Sequence, residues 1–64
     1  MTCTINTLPN CPYCVKAKKL LDFSGIEYTE VDGKFDGWPT VPYIVIDGKH
    51  IGGYAELLQY VRSL

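Results

Sequence analysis

Two cysteines, Cys11 and Cys14, flank a two-residue spacer, and the polar, turn-prone Asn10 precedes them. A helical pattern over 15–23 follows directly. A thiol at the head of a helix sits where unpaired backbone N–H groups and the helix dipole favour negative charge. It is expected to ionise more readily than its ordinary value of about 8.5, and the thiolate is the reactive form. Cys14 lies one turn further along the same face, close enough to close a small disulfide ring with Cys11. Pro12 suits a first helical turn, because its missing N–H has no intrahelical partner there. The chemistry this spacing offers is thiol–disulfide exchange. The bland alternative is half of a zinc site. Structural zinc takes four ligands, usually from two such pairs. Only Cys3 and His50 remain as further ligands, and neither belongs to a second close pair. A CxxC beside a βαβ pattern reads better as a redox pair.

The elements that must position these thiols follow from periodicity. Alternation over 3–7 puts Cys3 and Ile5 on one face of a first strand and Thr4 and Asn6 on the other. Leu8-Pro9-Asn10 turns the chain into a helix over 12–24. Val15, Leu20 and Leu21 are its expected apolar contacts, Lys16, Lys18 and Lys19 its solvated face, and Gly25 its left-handed stop. A second strand over 26–31 implies a parallel pair joined by a right-handed crossover. Residues 32–39 break all periodicity and read as a loop. An apolar strand over 43–46, the turn Asp47-Gly48 and a partner strand over 49–51 form a hairpin. Gly52-Gly53 then loosens the backbone before a last helix over 54–62. Leu57, Leu58 and Val61 give that helix its buried stripe, with Tyr54 one turn earlier. Cys3 reads as a small buried hydrophobe and His50 as a surface histidine with no chemical role.

Composition narrows the field. The chain has 64 residues, a net charge of -1 and 20% charged residues. No basic stripe points to nucleic acid. No apolar run is long enough for a membrane span. Met1-Thr2-Cys3-Thr4 lacks the basic and apolar regions of a signal peptide. The 3 cysteines are too few, and odd, for a disulfide scaffold. The expectation is a single domain over 1–64, monomeric and cytoplasmic, with no metal.

The strand and helix order β-α-β-β-β-α, with a CxxC opening the first helix, looks like the thioredoxin fold. Cys11-Pro12-Tyr13-Cys14 resembles the active-site motif of dithiol glutaredoxins. Thr40-Val41-Pro42 resembles that family's cis-proline loop. Asp47-Gly48-Lys49-His50-Ile51-Gly52-Gly53-Tyr54 resembles its hairpin and the double glycine before its last helix. The resemblance implies an α/β fold with a four-stranded mixed sheet (strands 3–7, 26–31, 43–46 and 49–51) and helices 12–24 and 54–62 on one face. It implies a disulfide oxidoreductase in which Cys11 is the nucleophile and Cys14 the resolving thiol. Tyr13, Thr40, Val41, Pro42, Gly53, Tyr54 and Ala55 would bind glutathione or another substrate. Glutathione is the implied co-substrate, with no bound cofactor. Protein disulfides such as that of ribonucleotide reductase are the implied substrates. Thioredoxin reductase is an alternative source of electrons. An iron–sulfur or zinc-binding module using Cys11 is the alternative of a different class.

The chain departs from the family pattern in three places. Leu8 stands where a lysine is usual, and Ala55 where an acidic or hydroxyl residue is usual. A helix between the second strand and the cis-proline loop is reduced to residues 32–39, as in compact bacteriophage-encoded members. Fewer charged contacts to glutathione are therefore expected. A large aromatic from the shortened loop, Phe35 or Trp38, is expected to cover the sheet face that the missing helix leaves open.

Overall fold

A computed structural model describes residues 2–64. Six elements run in the order β1 (Cys3–Thr7), α1 (Pro12–Phe23), β2 (Thr29–Asp32), β3 (Tyr43–Ile46), β4 (Lys49–Gly52) and α2 (Tyr54–Arg62). The strands form one sheet in the order β2-β1-β3-β4. β1 and β2 are parallel, and β1–β3 and β3–β4 are antiparallel. The parallel pair needs a long crossover, which α1 supplies; the last two strands need only a hairpin. At that hairpin Asp47 and Gly48 both have positive φ, 51° and 77°. That is the backbone a two-residue turn requires to match the twist of its strands.

Both helices pack on one face of the sheet. Ile5, Ile44 and Ile46 of the sheet meet Ala17 and Leu21 of α1 and Leu57 of α2, all of them buried. The inward face of α1 is Cys14, Ala17 and Leu21, spaced at three and four residues. Val15 lies off that line and is 47% exposed, so it is not the core contact its hydrophobicity suggested. Lys18 leaves the solvated face to pair with Glu30 on β2 at 3.2 Å.

The second strand begins later than the periodicity implied, at Thr29 rather than residue 26. Ile26 is taken by the end of α1. Gly25 is left-handed at φ 74°. Its N–H donates to the Asp22 carbonyl at 3.1 Å, and the Ile26 N–H donates to the Leu21 carbonyl at 2.9 Å. This pair of bonds is a Schellman stop, and the usual hydrophobic contact accompanies it because Leu21 and Ile26 share the core. The apolar residue that looked like the start of a strand is the plug of a helix cap. The other bounds differ by one residue: α1 ends at Phe23 and β4 runs on to Gly52.

Among the described residues no helix covers the opposite face, and the loop after β2 fills part of it with rings. Phe35 stacks on Tyr43 at 4.4 Å between centroids, and Trp38 meets the same ring at 5.1 Å. His50 approaches from β4 and its Nδ1 hydrogen-bonds the Tyr43 hydroxyl. Tyr43 is thereby only 3% exposed. Asn6, expected on a bare polar side, is also buried, and its amide donates to the Gly33 carbonyl at 3.2 Å. A buried amide without such a partner would be costly, so the loop and β1 hold each other. Thr4 does remain exposed. Among the described residues no helix is long and apolar enough to cross a membrane.

Candidate active site

The site is built where β1 ends and α1 begins. Asn10 adopts a left-handed φ of 59°, which re-aims the chain after Leu8-Pro9. Asparagine tolerates that region better than most residues. Cys11 is the N-cap of α1 with extended backbone, and Pro12 occupies the first helical position. A cap residue normally offers a side-chain oxygen to the free amides of the first turn. Here the acceptor is sulfur: the Cys14 N–H donates to Cys11 Sγ at 3.1 Å. Cys11 and Cys14 are joined by a disulfide, with Cα atoms 5.2 Å apart. Cys14 is 2% exposed, whereas Cys11 is half-buried at the surface. The two sulfurs therefore differ in access.

The cis peptide bond Val41–Pro42 faces this turn from the start of β3. Cys11 Sγ lies 3.9 Å from the Val41 carbonyl oxygen. Tyr13, Thr40, Val41, Pro42, Gly53, Tyr54 and Ala55, all seven singled out from the sequence, line one open cleft of about 400 Å³. Tyr13 and Tyr54 stand 6.0 Å apart across it, and Lys16 Nζ lies 5.1 Å from the Tyr13 ring centre.

Glu56 completes that cleft, and the sequence reading missed it. Its Oε1 accepts the Gly53 N–H at 2.8 Å, the one half of a capping box that a glycine cap allows. The signal was present, since an acidic residue three positions after a helix cap can reach back to the cap's amide. The geometry also accounts for Gly52, whose φ of 113° is a backbone that L side chains rarely adopt, while a Cβ on Gly53 would stand 3.1 Å from Glu56 Oε1 and ask that carboxylate to shift by a few tenths of an ångström.

Leu8 does not join these residues. It lines a second, larger cleft of about 740 Å³ on the other side of the active turn, with Cys11, Cys14, Lys18, Glu30 and Asp32. Glu30 Oε2 there accepts a hydrogen bond from Thr7 Oγ1 at 2.6 Å and faces Lys18. The hydroxyl donor, and next the ammonium, hold the Glu30 carboxyl below its ordinary range. Cys3, the third cysteine, is buried 5% exposed in the core, away from both clefts. Burial, and then the charge of Asp47, push its thiol up. Among the described residues no three His, Cys, Asp or Glu side chains gather as a metal set.

Comparison with known proteins gives the same picture. Residues 3–51 match the glutaredoxin family profile. The chain is 41% identical over 75 aligned positions to glutaredoxin 1 of Rickettsia prowazekii, covering 97% of this chain and 79% of that protein. Its fold is similar to glutaredoxin 1 from Francisella tularensis, solved with cacodylate, at a TM-score of 0.85 and 29% identity; 97% of this chain and 93% of that one superpose. It is also similar to a buckwheat glutaredoxin–glutathione complex, at a TM-score of 0.82 and 28% identity, over 95% of this chain and 68% of that one.

Proposed function

Because the chain belongs to the glutaredoxin family of glutathione-coupled disulfide oxidoreductases, we propose that it reduces protein and glutathione mixed disulfides through the Cys11–Cys14 dithiol. The observation that carries this reading is the unequal setting of the two sulfurs. Cys11 Sγ caps α1, accepts the Cys14 amide, lines the larger cleft and lies 3.9 Å from the Val41 carbonyl of the other, while Cys14 is buried behind it. A hydrogen bond from an amide at a helix start favours the anionic form of sulfur over the thiol.

In this reading Cys11 thiolate attacks one sulfur of a substrate disulfide. A Cys11–sulfur bond forms, the substrate S–S bond breaks, and the leaving thiolate takes up a proton. Cys14, deprotonated, then attacks Cys11 Sγ. The Cys11–Cys14 disulfide forms and the second substrate thiolate leaves. Two electrons pass from the dithiol to the substrate. Two glutathione thiols return them and become glutathione disulfide.

The cleft lined by Tyr13, Thr40, Val41, Pro42, Gly53, Tyr54 and Ala55 is assigned to glutathione. An extended peptide can pair there with the backbone of Val41, as an added strand does. The protein substrates include disulfides of the kind regenerated in ribonucleotide reductase, and the cytoplasm is the compartment in which such a dithiol is kept reduced. Recharging by thioredoxin reductase is the competing route for electrons. The deciding experiment mixes the oxidised protein separately with glutathione and with thioredoxin reductase plus NADPH. Reduction by glutathione is expected. Reduction by the enzyme alone would overturn the glutathione assignment.

A further inference from the structure

We infer that the second cleft, between the active turn and the end of β2, docks the protein part of a substrate disulfide and favours a segment with lysine or arginine beside its cysteine. The inference rests on the dithiol reading above and adds a substrate preference to it. Three features of the cleft carry it. First, it reaches the reacting atoms, because Cys11 itself is part of its wall. A bound disulfide has two arms; this cleft can take one, and Val41 of the other cleft lies 3.9 Å from Cys11 Sγ. Second, its charges do not cancel. Glu30 is paired with Lys18 at 3.2 Å, whereas Asp32, in register with Thr7 at the end of β2, has no ion-pair partner among the described residues. The wall therefore keeps one free carboxylate. Third, the cleft also has an apolar side, supplied by Leu8, Pro12 and the 47% exposed Val15.

A lysine or arginine matches both features at once. Its methylene stem can lie along Leu8 and Val15 while its head reaches Asp32. An aspartate or glutamate in the same place would face Asp32 unshielded.

The test uses two synthetic peptides that are identical except for arginine or glutamate two residues from the cysteine. Each is joined by a disulfide to a small neutral thiol. The reduced full chain, without glutathione, is mixed with each, and release of the peptide thiol is followed in a single turnover. At low salt the arginine peptide is expected to react about three- to tenfold faster, the scale of one exposed attraction replaced by one repulsion. The ratio should shrink at 0.5 M salt, about the range where screening reaches contact distance. Asp32→Asn should bring the ratio toward one, and Asp32→Lys should invert it. Equal rates at low salt, or an unchanged ratio in Asp32→Asn, overturn the preference and leave the dithiol chemistry standing. Failure to reduce either peptide overturns the dithiol reading itself, and the preference with it.

Discussion

The backbone N–H of Cys14 points at Cys11 Sγ from 3.1 Å in the disulfide form, so on reduction the buried cysteine supplies a hydrogen bond that favours charge on the half-buried one. That contact makes the two thiols chemically unequal. Cys11→Ser is expected to abolish disulfide exchange. Cys14→Ser is expected to keep the amide, and with it formation of a Cys11–glutathione adduct, while losing the step that releases protein substrate. Mass analysis after iodoacetamide at mildly acid pH checks the assignment. Cys11 should be labelled first in the reduced protein, and faster labelling of Cys14 would reverse the roles.

Cys3 should behave as a core residue. It is 5% exposed and its thiol is raised by burial. The oxidised native protein should therefore show no reactive thiol at neutral pH, and one after denaturation. Thiol titration with and without guanidinium checks this. A fast third thiol in the native protein would show that the core opens at β1.

The ring cluster on the open face should contribute measurably to stability. Phe35 and Trp38 are each half-buried against Tyr43. Full burial of a large apolar side chain is worth roughly 1.5–3 kcal/mol, so each half-buried ring should contribute about 0.8–1.5 kcal/mol. At about 4–8 °C per kcal/mol for a domain of this size, Trp38→Ala should lower Tm by about 3–12 °C. Calorimetry of the single and double alanine variants measures it. An unchanged Tm would mean that the loop packs elsewhere in solution.

Glu30 should tie stability to acid pH. Its folded carboxyl is held down, first by the Thr7 hydroxyl and then by Lys18. A depressed carboxyl contributes stability that is present above its unfolded value, near 4.5, and lost as pH falls through the lower folded value. Glu30→Gln should therefore be less stable than the parent at neutral pH, and the gap should close in strong acid. Urea midpoints at a series of pH values from neutral downward check the sign. A gap that widens in acid would contradict it.

Much of this architecture was legible because several signals were local. Gly25, Asp47-Gly48 and the Cys11-Pro12 start each carry their backbone geometry in their own residue types. The placement of the seven cleft residues was legible only through family resemblance, since Thr40 and Tyr54 are far apart in sequence and spacing says nothing of their meeting. What misled were residues with two possible uses. Ile26 is equally apolar as a strand residue and as a helix plug, and only the hydrogen bond to Leu21 distinguishes them. Val15 is more hydrophobic than Ala17, yet Ala17 is the one fully buried, because helix phase, set by Cys14 and Leu21, outranks side-chain size. Asn6 looked solvated until Gly33 supplied its partner.

The strand order β2-β1-β3-β4 also sets a timetable for the ribosome. β1 is central, and its antiparallel partner Tyr43–Ile46 lies some forty residues later in the chain. At about 5–20 residues per second of synthesis, roughly 2–8 seconds separate the two. The thiols of α1 therefore meet Val41 and the α2 half of the cleft only when synthesis of the chain is nearly complete.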